Sequence, residues 1–224
     1  MKKTKAILMA LCAVLLVAAS VMGTLAYLTS TDTVTNTFTV GKVAITLDEA
    51  KVNVNGQKLD ANDNVYAEDG SVELAARVQE NDYKLMPGHE YVKDPIVHVA
   101  ADSEDCYLFV KVENGIADIE ASTTIADQMK DNGWTRVSGT PNVYAYKDVV
   151  SAGDNVDVFK TFTISGDVTN EELDGTIVVT GPSGESITAP DYRQAKIVVT
   201  AYAVQADGFA NKTAAEIWTA ANFT

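Results

Sequence analysis

Two histidines, two cysteines and 31 carboxylates are the side chains of this 224-residue chain that could bind a metal, move a proton or attack a carbonyl. His89 and Glu90 are adjacent, as at the start of the helical zinc motif of metalloproteases. That motif needs a second histidine three residues after the glutamate, so that both rings leave one helix face. Here the run is His89-Glu90-Tyr91-Val92-Lys93, and His98 lies in a stretch of strand character, Ile96-Val97-His98-Val99. No zinc site is assigned on that pattern. The acidic run Asp60-Ala61-Asn62-Asp63-Asn64 begins like a calcium loop. Its sixth position is Val65 where glycine is needed, and its twelfth is Ser71 where a bidentate glutamate is needed. A looser oxygen site using Asp60, Asp63, Glu68 and Asp69 is left beside the simpler reading of a solvated acidic loop. Cys106 alternates with Leu108, Val110 and Val112 and reads as a buried strand residue, while Cys12 is a small filler within an apolar run. There is no G-x-S-x-G, no phosphate-cradling glycine loop and no C-x-x-C pair. No catalytic, cofactor-binding or metal-ligating residue is therefore assigned, and the chain is not read as an enzyme.

The segments around these residues carry more information. Lys2, Lys3 and Lys5 precede an uncharged run from Ala6 to Met22, the pattern of an export signal. Thr24 and Ala26 occupy the −3 and −1 places of a small-residue cleavage site, so cleavage is expected between Ala26 and Tyr27. A site after Ala18 or Ala19 would leave Val21 and Met22 on the new terminus and is the weaker choice. If uncleaved, Ala6 to Leu28 is long enough to span a bilayer. That segment is the only expected contact with a membrane.

Past the junction, Val34, Asn36, Phe38 and Val40 alternate with Thr33, Thr35, Thr37 and Thr39, a strand with one apolar face. The apolar phase then shifts to Val43, Ile45 and Leu47, which predicts a bulge or bend at Gly41. Residues 50–82 are polar and read as an insertion, with Asn55-Gly56 as a hairpin turn. Val72 to Gln79 fits either a short helix or an edge strand. Pro87-Gly88 suits a type II turn, and Asp94-Pro95 opens the strand that carries His98. Further strands are expected at Cys106–Glu113, Trp134–Val137, Val143–Tyr146, Val156–Ser165 as one strand, Thr176–Thr180 and Lys196–Gln205. One longer helix is expected in Ile116–Asp131, capped by Ser122 or Thr123. Thr169 with Glu172, and Thr213 with Glu216, have the spacing of capping boxes over short helices. GPSGE, residues 181–185, reads as a turn.

Eight to ten short alternating strands with few helices predict an all-β fold, an antiparallel jelly-roll-like sandwich in one domain over residues 27–224. Loss of residues 1–26 removes three lysines and no acid, moving the formal charge from −14 to −17. Such a surface repels nucleic acid and anionic lipid, and both are excluded as partners.

Four stretches together carry a family resemblance: GTLAYLTSTDTVTNTFTVGKVAITLDE after the apolar run, NDYKLMPGHEYVKDPIVHV, SEDCYLFVKVEN, and AYAVQADGF before a Trp-containing helix. The chain resembles the TasA/camelysin family, exported proteins of Gram-positive bacteria whose signal is cut by the peptidase SipW. The resemblance implies a secreted jelly-roll domain at the cell surface or in the biofilm matrix, with self-association into fibres. It also carries a rival function, since camelysin-like members are labelled metalloproteases. No residue here matches a zinc motif onto which that activity could be transferred. For a fibre, the expected donor strand is the freed Tyr27–Val40 segment, with Val34, Phe38 and Val40 as its inserted face.

Overall fold

The computed structural model describes residues 42–175, 178–180, 186–188 and 191–223. The cleavage point at Ala26 and Tyr27, the donor residues Val34, Phe38 and Val40, the bend at Gly41 and the turn at 181–185 lie outside the described residues.

The fold is mainly β with a few short helices, as the alternating pattern predicts, and every strand pair among the described residues is antiparallel. One sheet joins β1 (Ile45–Asp48), β3 (Ile96–Val99) and β7 (Asn155–Asp157), with β3 in the middle. A second joins β11 (Ile197–Gln205), β4 (Cys106–Asn114), β6 (Val143–Tyr146) and β5 (Trp134–Arg136), in that order. Two ribbons accompany them, β2 (Glu90–Val92) with β8 (Thr161–Thr163), and β9 (Val178–Thr180) with β10 (Ser186–Thr188). Side chains from the first two sheets and from the β2–β8 ribbon meet in one apolar core.

Strand β4 shows why the sheets stack. Cys106, Leu108, Val110 and Val112 point one way and are all buried in that core. Phe109 points the other way, and it too is buried, under the C-terminal helix. A nine-residue strand buried along one face and at Phe109 on the other belongs at the centre of a sheet, and β11 pairs with it along its full length, from Ile197 opposite Asn114 to Gln205 opposite Cys106. Each fully buried valine, leucine or phenylalanine of this kind contributes roughly 1.5–3 kcal/mol.

Three sequence expectations are corrected. The single strand expected over Val156–Ser165 is two strands in different sheets, β7 on β3 and β8 on β2. Between them Val158 and Phe159 are both fully buried, so alternation fails where the chain turns the corner from one sheet to the other. The expected longer helix in 116–131 is a 3₁₀ turn at Ala117–Ile119 followed by α1 (Ile125–Asp131), capped by Thr124 and not by Ser122 or Thr123. Only Thr124 has an acid three residues on: Asp127 accepts from its backbone N–H, and the Thr124 hydroxyl accepts from the Asp127 N–H. Finally, Val72–Gln79 is neither helix nor strand. It is extended, joined to the fold at two isolated points, Asp60 with Leu74 and Glu49 with Val78. The caps at Thr169 over α2 (Asn170–Leu173) and at Thr213 over α3 (Ala214–Ala221) form as their spacing predicts. No helix among the described residues is long and apolar enough to cross a membrane.

Candidate functional site

A dense polar constellation lies where the 50–82 segment meets the β1–β3–β7 sheet. Its residues come from the end of β1 (Asp48, then Glu49), from the segment itself (Arg77 and Asn81), and from the link between β2 and β3 (Lys93 and Asp94). Arg77 Nε donates to Asp48 Oδ1 at 2.5 Å, and its Nη2 donates to the Asp94 carbonyl at 2.7 Å and to the Asp48 carbonyl at 3.2 Å. Asp94 Oδ1 also accepts from the Ala50 N–H at 2.6 Å. Deeper, Lys93 Nζ reaches Glu49 Oε2 at 2.5 Å, with side-chain exposures of 11% and 5%. The Asn81 amide donates to Glu49 Oε1 at 2.8 Å and to the Ala50 carbonyl at 2.9 Å, and its oxygen accepts from the Val52 N–H at 3.0 Å. Every polar atom of the Asn81 side chain is thereby used. Tyr83 closes the inner side: its hydroxyl donates to the Val92 carbonyl, and its ring stands edge-on to Tyr91 and Phe162.

Electrostatics follow from this arrangement. Burial alone would raise the Asp48 carboxyl, but hydrogen bonds from Arg77 and His98 outweigh it and hold the group below the usual range. Burial pushes the Tyr83 phenol far up, and the nearby charges of Glu49 and Asp94 push it further. The Cys106 thiol is raised by burial and by Asp105, so it is an inert core residue at neutral pH, as its alternation predicts.

The two histidines are in different sheets or their approaches and do not converge. His98 lies in β3 between Asp48 Oδ1, 2.9 Å from its Nε2, and Asn155 Oδ1, 2.5 Å from its Nδ1. It clips the middle strand to both neighbours. His89 precedes β2 and donates from Nε2 to the Asn55 carbonyl at 2.9 Å, with its ring against Tyr91. Of the acidic loop, Asp60 is turned inward and accepts the Asn62 and Asn64 N–H groups at 2.8 and 2.9 Å. Asp63 pairs with Lys51, and Asp69 accepts from Ser71 N–H. Asp60 and Asp69 thus shape their own stretches of backbone, and Asp63 is taken up by an ion pair. Among the described residues no group of three or more His, Cys, Asp or Glu is placed to hold a metal.

The Asp48–Glu49–Arg77–Asn81–Lys93–Asp94 cluster has almost no signature in the sequence. No spacing rule links residues that meet only when the segment folds back. The one available signal was a pair of acids, Asp48-Glu49, ending an apolar strand.

Two sheet edges complete the picture. Among the described residues β1 is laddered only to β3, and β11 only to β4. Their inward side chains, Val43, Ile45 and Leu47 near β1 and Ile197, Val199, Ala201 and Ala203 on β11, stay partly exposed while those of β4 are fully covered. Comparison of the chain with protein-family models, curated proteins and solved structures finds no match.

Proposed function

We propose that this chain is a secreted structural protein of the cell surface or extracellular matrix of a Gram-positive bacterium, one that assembles into fibres by strand donation. In this reading a SipW-type signal peptidase cuts between Ala26 and Tyr27. The freed Tyr27–Val40 segment then adds to the sheet of a neighbouring jelly-roll domain, inserting Val34, Phe38 and Val40. Each copy gives one strand and receives one, a head-to-tail contact that propagates as a filament.

The observation that carries the reading is the pair of edges at β1 and β11. Among the described residues β11 is laddered on one side only, with β1 near it; an open strand edge of nine residues is a template for pairing, and soluble proteins normally shorten, charge or cover one. Here it carries Val198 exposed and its inward apolar residues half-covered. A strand of nine residues is about 30 Å long, and the fourteen positions of 27–40 reach along all of it. The rival activity, a camelysin-like metalloprotease, would draw on His89 and His98, whose rings already face oxygens of Asn55, Asp48 and Asn155.

The reading is tested by removing and returning the strand. A protein lacking residues 27–40 should lose thermal stability, and a synthetic peptide of that sequence should restore it in a saturable manner. Burial of Phe38 and two valines, roughly 1.5–3 kcal/mol each, sets the scale of the effect. A truncated protein whose stability is unchanged by the peptide would argue against a strand seat.

A further inference from the structure

We propose that Lys93 and Asn81 are the partners of an intramolecular isopeptide bond, formed without an external enzyme and with Glu49 as the proton carrier. The three side chains are the parts this condensation needs: an amine, a carboxamide and a shared carboxylate. Lys93 Nζ is 2.5 Å from Glu49 Oε2, and Asn81 Nδ2 is 2.8 Å from Glu49 Oε1, so one carboxylate bridges the nucleophile and the leaving group. The amide is oriented without ambiguity, because Nδ2 has two oxygen acceptors and Oδ1 has the Val52 N–H as donor. That N–H stands where negative charge develops when the amide carbon is attacked, the role of an oxyanion-hole donor. The carboxylate is buried, with Glu49 4% exposed, Asn81 and Lys93 are partly buried, and the Lys93 ammonium lies beside the Tyr83 ring in an aromatic wall continued by Tyr91 and Phe162.

The step balances within these residues. Lys93 passes a proton to Glu49 Oε2, and its Nζ forms a bond to Asn81 Cγ after closing to a near-attack distance of about 3–3.5 Å. Negative charge gathers on Oδ1 against the Val52 N–H. The Cγ–Nδ2 bond then breaks. Of the ammonium protons, one stays in the new amide and the others pass through Glu49 to Nδ2, which leaves as ammonium and restores the carboxylate. No oxidant or cofactor takes part. Glu49 contacts both reacting groups and is the catalytic residue of this chemistry. The product fixes the end of the 50–82 segment covalently to the strand connection at Lys93, whether or not the chain assembles.

The test is peptide mapping of the purified, folded full chain by mass spectrometry after tryptic digestion. Trypsin does not cut after an acylated lysine. The expected product is therefore Val78–Lys84 joined through Lys93 to Leu85–Lys111, lighter than the two separate peptides by one ammonia. Lys93→Arg and Glu49→Ala should yield the unlinked peptides. Complete recovery of linear Val78–Lys84 and Leu85–Lys93 from the wild-type chain would show an ion pair only and overturn the proposal. Hydrolysis of Asn81 to aspartate without a link would overturn it as well. A link that persists in Glu49→Ala would remove Glu49 from the mechanism.

Discussion

At the scale of single residues, Gly56 shows how much one position can decide. Its φ is +73°, and a β-carbon placed there would stand 2.6 Å from Tyr91 Cα, a backbone atom that cannot step aside. Gly70 has nearly the same φ, +74°, with nothing within 4 Å. Gly56→Ala should therefore lower stability by more than Gly70→Ala, whose cost is backbone strain of roughly 1–3 kcal/mol. Urea denaturation of the two variants makes the comparison, and equal losses would contradict the packing argument. Asp48 gives a pH prediction. Its folded-state carboxyl titrates below its ordinary value, so its contribution is complete above that value and is lost as the pH falls through the lower, folded one. Asp48→Asn should flatten the acid limb of the stability profile below about pH 4, and an unchanged limb would assign it to other carboxylates. The turn glycine is legible in Asn55-Gly56, because Asn-Gly between strand-like runs signals a hairpin turn in which the glycine takes the positive φ. Its contact with Tyr91 was not, since nothing in the sequence says which strand the turn will lie upon.

Among the elements, the short helices depend on their caps. Helix α3 has eight residues, too few to persist on propensity, and it is held by the Thr213–Glu216 box and by Ile217 and Trp218 against the sheet. Trp218 touches Phe109, Tyr202 and Phe223, with ring centres 5.1–5.4 Å away. Thr213→Ala should cost about 1 kcal/mol and should shift Trp218 fluorescence early in the unfolding transition. A variant that unfolds with the wild type, in stability and in fluorescence, would show that packing alone secures the helix. Capping pairs are legible because both members sit within one turn of each other, which is why α2 and α3 could be placed. The start of helix α1 is less legible because Ser122, Thr123 and Thr124 compete, and only the acid at Asp127 selects the last. The break between β7 and β8 left only a weak local signal, the reversed order of Phe159 and Lys160 in an otherwise regular run of Val156, Val158, Phe162 and Ile164, and the change of sheet is imposed by the partners β3 and β2.

For the whole molecule, charge and edges act against each other. A formal balance of −14, or −17 once residues 1–26 are removed, keeps copies apart at low ionic strength. Screening and carboxylate protonation both weaken that repulsion. Light scattering should accordingly rise on adding calcium and as the pH approaches the ordinary carboxylate range of about 4. Scattering that stays flat under both treatments would separate charge from assembly. The most direct test of strand donation is electron microscopy of two purified proteins under those conditions, residues 27–224 and residues 41–224. Filaments from the first and none from the second are expected. Filaments from the protein that begins at Gly41 would contradict the account.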